Sequence, residues 1–177
     1  TTPPTLTQIT AITTPTNDNT PNYTFSTNEA GTITYGGSSS CTSDNSSVIS
    51  GNSLIVINSL RDGSYDNCTV TVTDSAANVS NTLTLTSFNV DTTAPTVAEV
   101  TAVTNPTNDP TPNYTFSSNE AGTITYGGSS SCSSDNSSAI SGNSLIVINS
   151  LRDGTYDNCT VTVTDSAANV SNTLTLT

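Results

Sequence analysis

The sequence predicts an all-β protein built from two tandem β-sandwich domains, each closed by one internal disulfide. The first observation is a repeat: residues 1–86 and 92–177 align without a gap at an offset of 91, and 12 of the 86 aligned positions differ, so that 74 are identical. The second is the alternation of apolar and polar residues in short runs separated by turn-forming residues. The third is a pair of cysteines in each repeat at the same spacing.

The repeat is long enough to hold a complete domain. A period of this length with a full set of strands indicates an array of whole domains, because solenoid turns are shorter and need their neighbours to fold. We therefore predict domains at residues 1–88 and 89–177, joined by a linker at about residues 87–95. We also expect the chain to be part of a longer tandem array.

The apolar alternation places the strands. Period-two patterning buries one face of each sheet and leaves the other in solvent. In the first repeat we expect strands at residues 6–13, 22–27, 32–35, 46–50, 54–58, 68–73 and 82–90. Seven short strands fit an immunoglobulin-like Greek key, and Tyr65 and Tyr156 then occupy the position of a tyrosine corner.

The cysteines are expected to pair within each repeat. Cys41 and Cys68, like Cys132 and Cys159, are 27 residues apart. If the strands alternate in direction, the end of the third strand and the start of the sixth lie at the same pole, so that each pair can form a disulfide. Metal ligation is the weaker alternative, because the sequence has no His and no CxxC motif. Disulfides indicate an oxidising compartment, and we expect an extracellular or cell-surface location.

The composition excludes several classes of function. Arg61 and Arg152 are the only basic residues against 14 acidic ones, and the net charge is −12. Such a chain disfavours nucleic acid and anionic membranes as partners, and it has no apolar run that could insert into a bilayer. Without His or Lys, and with its cysteines paired, it lacks the usual general bases and nucleophiles, so we predict that it is not an enzyme. The carboxylates of Asp62 and Asp66 could imitate a glycosidase pair, but both lie in an expected turn.

Several motifs together resemble a known family. They are the junction Phe-Asn-Val-Asp-Thr-Thr-Ala-Pro-Thr at residues 88–96, the Thr-Asn-Asp turn at 16–18, and Leu-Arg-Asp-Gly-Ser-Tyr at 60–65 followed by Asp-Ser-Ala-Ala-Asn at 74–78. This combination resembles the bacterial immunoglobulin-like repeats of large repetitive surface proteins and biofilm-type adhesins, and the resemblance covers both repeats. It implies a sandwich domain that serves as a stalk or spacer module.

The sequence is consistent with three functions. The leading prediction is a structural spacer of an adhesin-like surface protein, strung head to tail, with neighbouring repeats of the same chain as partners and no required cofactor. The first alternative is a subunit of a self-assembling extracellular filament or sheath, with identical chains as partners. The second is an adhesin module that binds surface glycans or protein. Threonine ladders on the last two strands also raise ice or sugar binding, although Thr is an ordinary solvent-facing strand residue.

Acidic and amide side chains near the junction form a candidate calcium site. Alternating strands bring the expected turns to the two poles of each domain, so that oxygen ligands gather where one domain meets the next. Calcium takes six to eight such oxygen ligands. The alternative is that these are solvated turn residues, because Asp and Asn favour turns. The candidate ligands are Asp91, Glu120, Asp165 and Asn169, with Asn17 and Asp18 from the first repeat.

Asn-x-Ser/Thr sequons are also frequent. In a sequence this rich in Asn, Ser and Thr several arise by chance, and their use depends on the host. The candidate glycosylation sites are Asn22, Asn45, Asn67, Asn78, Asn113, Asn136, Asn158 and Asn169.

Overall fold

The computed structural model describes residues 2–38, 41–128 and 132–176. These residues form strands, turns and loops, and they divide into two units, Thr1–Thr92 and Thr93–Thr177. The prediction of two β-sandwich domains, each with one disulfide, is confirmed. The sequence-based division between residues 88 and 89 lies inside the strand Phe88–Val90, which pairs with a strand of unit 1.

The described residues of unit 1 form nine strands. They are β1 (Leu6–Thr10), β2 (Asn22–Thr27), β3 (Gly31–Gly36), β4 (Ser47–Val48), β5 (Gly51–Val56), β6 (Gly63–Tyr65), β7 (Thr69–Thr73), β8 (Leu83–Thr84) and β9 (Phe88–Val90). One sheet has the order β1-β2-β5 and the other β4-β3-β7-β8, while β6 and β9 form a separate antiparallel ribbon. Because the chain crosses between the two sheets after β2, β4 and β5, the connectivity is that of a Greek-key sandwich.

Unit 2 repeats the two sheets with seven described strands. They are β10 (Val97–Thr101), β11 (Asn113–Ser118), β12 (Gly122–Gly127), β13 (Ser138–Ala139), β14 (Gly142–Val147), β15 (Thr160–Thr164) and β16 (Leu174–Thr175). Their orders, β10-β11-β14 and β13-β12-β15-β16, match those of unit 1. Residues 154–156, the counterparts of β6, are described but do not form a strand.

Alternating side chains of the two sheets fill the core of each unit. In unit 1, Tyr23 and Phe25 of β2 are buried with Val70 and Val72 of β7, and Ile33 of β3 packs with them. The intervening threonines of β7 are only half-buried, as the period-two pattern predicts. Unit 2 has the same arrangement around Tyr114, Phe116, Ile124, Ile146, Val161 and Val163.

The predicted strands are found, with different bounds in places. Residues 22–27 form β2 as expected, whereas the fifth strand runs from 51 to 56 rather than from 54 to 58. The polar residues at its beginning belong to the strand because Asn52 and Ser53 pair with Ser26 and Phe25 of β2. The predicted last strand, 82–90, is divided: β8 pairs with β7, while β9 pairs with β6.

The two predicted disulfides are present. Cys41 joins Cys68 and Cys132 joins Cys159, with Cα–Cα distances of 5.5 and 5.3 Å. Each bond links the loop after the third strand of its unit to the residue just before β7 or β15, and all four cysteines are buried. Disulfides of this kind are compatible with an extracellular protein. Among the residues that the structure describes, no helix is long and apolar enough to cross a membrane.

Candidate functional site

The C-terminal pole of unit 1 is formed by the ribbon of β6 and β9. Tyr65 of β6 faces Phe88 of β9 in the register, and their rings stack with centroids 5.3 Å apart. The Tyr65 hydroxyl donates a hydrogen bond to the Arg61 carbonyl oxygen at 2.9 Å and accepts one from the Arg61 N–H at 3.2 Å. This is the bonding of a tyrosine corner, and Tyr156 makes the same two bonds to Arg152 in unit 2.

β9 also bonds to the loop that follows β1. The Thr16 N–H donates to the Asn89 carbonyl at 3.0 Å, the Asn89 N–H donates to Thr14 Oγ1 at 2.9 Å, and the Asp91 N–H donates to the Thr16 carbonyl at 2.9 Å. β9 therefore lies between β6 on one side and residues 14–16 on the other. The next residue, Thr92, donates from its N–H and hydroxyl to Asp62 Oδ1, at 2.9 and 2.7 Å.

These bonds pin the segment by which the chain leaves unit 1. Phe88 and Val90 are each 2 % exposed, so their side chains belong to the core of the unit. Asp62, one member of the carboxylate pair considered for catalysis, accepts two hydrogen bonds from this segment. These bonds hold Thr92 against the turn before β6.

The corresponding region of unit 2 is an open groove. It has a volume of about 440 Å³, an apolar floor that includes Val103, Ile148 and Leu176, and a wall that includes Tyr156. Leu151, at its edge, is half-buried, whereas its counterpart Leu60 in unit 1 is 4 % exposed. In unit 1 this region is covered by Phe88 and Val90, and the aligned residues 92–177 include no counterpart of residues 87–91.

The turn after β7 organises the N-terminal pole. Asp74 Oδ1 accepts hydrogen bonds from the N–H groups of Ala76 and Asn78, each at 2.8 Å, and Oδ2 accepts one from the Asn78 side chain at 2.8 Å. Hydrogen bonds from the side chain and N–H of Asn78, followed by that from Ala76, hold the pKa of Asp74 below its ordinary value of 3.8. Ala77 in this turn has φ 65°, a left-handed conformation that a non-glycine residue adopts only where surrounding bonds support it.

Unit 2 contains the same turn. Asp165 accepts from the N–H groups of Ala167 and Asn169 and from the Asn169 side chain, at 2.8 to 2.9 Å. Carboxylate oxygens of Asp165 and Glu120 lie within 4.8 Å of one another. Two predicted calcium ligands of unit 2 are thus close together, and a third, Asn169, is bonded to one of them.

The predicted ligands of unit 1 occupy its C-terminal pole. Asp18 Oδ1 accepts from the N–H and hydroxyl of Thr20, at 2.8 and 3.1 Å, as in an Asx turn. Asn17 lies beside it in the chain, and the Asp91 backbone is bonded to Thr16. The prediction that these residues share calcium with those of unit 2 stays a prediction.

The sequons differ in accessibility. Five asparagines are exposed: Asn22, Asn45, Asn67, Asn113 and Asn158. In the others the side-chain nitrogen is engaged, since Asn78 donates to Asp74, Asn169 to Asp165, and Asn136 to the Leu145 carbonyl. Asn169 is also only 9 % exposed, which disfavours attachment of a sugar to the folded chain at this position.

The fold defines the chain as two tandem β-sandwich repeats, each with one internal disulfide. No protein-family model matches the sequence, and the comparison with curated proteins also found no match.

Proposed function

We propose that the chain is a structural spacer: a tandem β-sandwich segment of an extracellular, adhesin-like surface protein that holds other elements at a distance. The observation that carries the proposal is the way in which unit 1 holds its outgoing segment. Residues 88–92 are paired with β6, bonded to residues 14–16 and tied to Asp62, so that the linker leaves from a fixed point of the domain. A flexible tether between binding domains does not need such bonds.

The start of unit 2 is held in a similar way. The Thr96 N–H donates to Asn119 Oδ1, and the Val97 N–H donates to Asn172 Oδ1 at 2.9 Å. In unit 1 the equivalent bonds join Thr5 to Asn28 and Leu6 to Asn81. Each unit thus fixes the incoming chain with two asparagine side chains, which supports a role in which the spacing of consecutive domains matters.

Near-identity of the two repeats also favours a spacer. A recognition domain needs one particular binding surface, whereas a spacer needs copy number. The disulfides, the resemblance to bacterial surface repeats and the absence of His and Lys from the sequence are consistent with a non-catalytic extracellular module.

The proposal is tested with chains of two, four and eight units made by repeating the 91-residue period. We expect the maximum dimension from small-angle X-ray scattering to grow in proportion to the number of units, with separate particles in electron microscopy. A dimension that levels off as units are added would contradict the proposal. In a matched series with Asp62→Ala and Thr14→Ala in each repeat, the maximum dimension should grow less with the number of units. Both changes remove hydrogen bonds that hold the outgoing segment.

A self-assembling filament is the second candidate, and one observation favours it. β5 is an edge strand of its sheet, and its outward side chains Leu54 and Val56 are 56 % and 44 % exposed. Unit 2 exposes Leu145 and Val147 on β14 in the same way. Uncharged apolar edges of this kind can pair with other chains.

Microscopy separates the two candidates. If ordered polymers form, the variant Leu54→Lys/Leu145→Lys should abolish them, because a charge on an edge strand opposes pairing. Polymers from the parent chain would overturn the spacer proposal, while separate particles from both chains would support it. Glycan binding, the third predicted function, is addressed by a glycan array.

Calcium binding remains a proposal for Asp91, Glu120, Asp165, Asn169, Asn17 and Asp18. Thermal unfolding with calcium and with EDTA tests it, and an unchanged melting temperature would contradict it. Glu120→Gln should remove the effect of calcium, whereas the matched variant Glu29→Gln in unit 1 should keep it.

A further inference from the structure

One edge of each sandwich is partly covered by a loop. In unit 1 this edge loop, residues 41–46, follows β3 and leads to β4, and both of these strands belong to the four-stranded sheet. The loop nevertheless reaches the edge of the other sheet, where the Asn58 N–H donates to the Thr42 carbonyl oxygen at 2.7 Å. The Asn58 side chain donates to Thr42 Oγ1 at 3.3 Å and to Asp44 Oδ1 at 3.2 Å. These bonds tie the edge loop to the residues that directly follow β5.

The hydrogen bonds of this strand show which of its backbone groups face outwards. The Ile57 N–H donates to the carbonyl oxygen of Pro21, just before β2. Because the backbone groups of successive residues in a strand point to opposite sides, those of Leu54, Val56 and Asn58 point away from β2. The edge loop therefore binds the last of three outward-facing positions.

The corresponding loop covers more of the edge in unit 2. The Asn149 N–H donates to the Ser133 carbonyl oxygen at 2.7 Å, as in unit 1. In addition, the Asn136 side chain donates at 3.0 Å to the carbonyl oxygen of Leu145, the counterpart of Leu54. In both units the loop thus occupies backbone groups that an added strand would need for its own hydrogen bonds.

Two further contacts hold the edge loop in place. Cys41 at its beginning is joined to Cys68, which directly precedes β7. The hydroxyl of Tyr35 on β3 donates to the Asn45 carbonyl oxygen at 2.7 Å. Both contacts come from the four-stranded sheet, so the disulfide fixes the loop from the side opposite to β5. Its effect on the folded chain is to keep the loop against the strand edge.

The edge beneath the loop suits a second copy of the same chain. Neither β5 nor β2 beside it contains a charged residue, so the net charge of −12 opposes contact less here than at the acidic turns. Two β5 strands can pair in antiparallel fashion about a two-fold axis, since such an interface uses the same surface on both copies. The exposed side chains of Leu54 and Val56 would lose contact with water in that pair. Asp44 places a negative charge at the end of this edge, and charges at edges oppose pairing.

We propose that the edge loop, held by its disulfide, prevents β5 of one chain from pairing with β5 of another. The covered edge is an interaction surface for a second copy, and it becomes available when the loop is released. β14 and the loop of unit 2 have the same relation. The inference rests on the spacer proposal in one respect, because a spacer needs chains that stay separate.

Sedimentation velocity of four chains tests the inference. Cys41→Ala/Cys68→Ala releases the edge loop of unit 1, and we expect a dimer at concentrations at which the parent chain is a monomer. Adding Leu54→Lys to this variant should restore the monomer, because a charge on the edge opposes pairing. The matched control is Phe88→Ala, which removes a buried side chain from the same unit but keeps the loop and its disulfide. It should stay a monomer.

A further variant keeps the disulfide. Asp44→Ala/Asn58→Ala removes the side-chain hydrogen bonds between the loop and the edge. We expect amide exchange at residue 58, followed by NMR, to become about tenfold faster than in the parent chain. This variant should also dimerise, at higher concentrations than the variant without the disulfide.

The outcomes separate this inference from the spacer proposal. If Cys41→Ala/Cys68→Ala is folded in NMR spectra and stays a monomer, the inference is overturned and the spacer proposal is untouched. Dimers of Phe88→Ala, or dimers that persist with Leu54→Lys, would also overturn it, because lost stability rather than an open edge would then cause association. If unit 1 without its disulfide does not fold, Asp44→Ala/Asn58→Ala decides, and a monomer at all concentrations overturns the inference. A parent chain that already assembles through β5 would overturn both proposals.

Discussion

The two units share 74 of 86 aligned residues, yet their C-terminal poles differ. In unit 1, β9 covers the floor beneath Tyr65, and residues 63–65 form a strand. In unit 2 the same residue types border a groove of about 440 Å³, and residues 154–156 form no strand. Residues 63–65 pair with β9, whereas the aligned residues 92–177 include no counterpart of residues 87–91 with which residues 154–156 could pair.

The largest expected effect is that of Phe88→Ala. The Phe88 side chain is buried and stacked on Tyr65, so its loss should destabilise unit 1 by about 3–5 kcal/mol and leave unit 2 unchanged. Hydrogen exchange resolved by unit measures the effect, and unit 1 should come to exchange like unit 2 around residues 63–65. Asn89→Ala, an exposed neighbour on the same strand, is the matched control, and an equal loss in that variant would contradict the assignment of Phe88 to the core.

The disulfides should contribute equally to the two units. Each closes a loop of the same sequence separation, 27, for which the chain-entropy model gives about 3.5 kcal/mol. We expect Cys41→Ala/Cys68→Ala to lower the free energy of unfolding of unit 1 by this amount. Cys132→Ala/Cys159→Ala should lower that of unit 2 equally. Urea unfolding, followed by hydrogen exchange in each unit, measures both losses. Clearly unequal losses would show that the open pole of unit 2 changes how much its disulfide contributes.

A core difference between the units gives a smaller effect. Val48 and Ala139 are equivalent buried positions, so Val48→Ala gives unit 1 the side chain of unit 2. Two methyl groups leave the core, and we expect unit 1 to lose about 1.6 kcal/mol. Ile49→Ala, at a neighbouring position that is 74 % exposed, should change the free energy of unfolding by less than about 0.5 kcal/mol. Thermal unfolding of both variants measures these two changes in stability.

The smallest effect at neutral pH, and the sharpest difference between the units, concerns two tyrosines. Burial raises the pKa of Tyr23 to about 12, and its hydroxyl bonds to Gln8. Burial also raises the pKa of Tyr114, and there a hydrogen bond to Glu99 and the charge of that carboxylate raise it further. Because a raised tyrosine pKa stabilises the fold below the ordinary pKa of about 10, this stability should be lost as the pH rises through the folded-state value.

Alkaline titration by NMR measures this difference. Tyr114 should deprotonate after Tyr23, and Glu99→Gln should bring its titration close to that of Tyr23. The reciprocal variant Gln8→Glu should delay Tyr23. If Tyr114 still deprotonated after Tyr23 in both variants, the residue that accepts the hydroxyl's hydrogen bond would not be the cause of the difference in pKa.

Much of the sandwich follows from local sequence. The alternation at residues 22–27 predicted β2 with its bounds, and the spacing of 27 predicted both disulfides. Tyr65 was placed at a tyrosine corner from its position, and its bonds to Arg61 confirm it. The strand and the tyrosine corner depend on patterns within a few residues of one another. The disulfides were predictable because the two cysteines recur at the same spacing in both repeats.

The candidate site was only partly foreseen. The turn residues Asp165 and Asn169 were expected to lie near Glu120, and the carboxylates of Asp165 and Glu120 do lie within 4.8 Å. The bonds that Asp165 makes within its own turn were not expected, because hydrogen bonding to N–H groups two and four residues ahead depends on the left-handed conformation of Ala168.

By itself the sequence determined the repeat, the two sheets, the buried faces and the cysteine pairs, since each is written in periodicity or spacing. Only the tertiary structure decided that residues 82–90 divide into β8 and β9, and that β9 leaves the main sheet to pair with β6 and residues 14–16. The physical reason is that β9 finds its hydrogen-bond partners in segments 25 and 75 residues away in the chain. No local pattern encodes such partners.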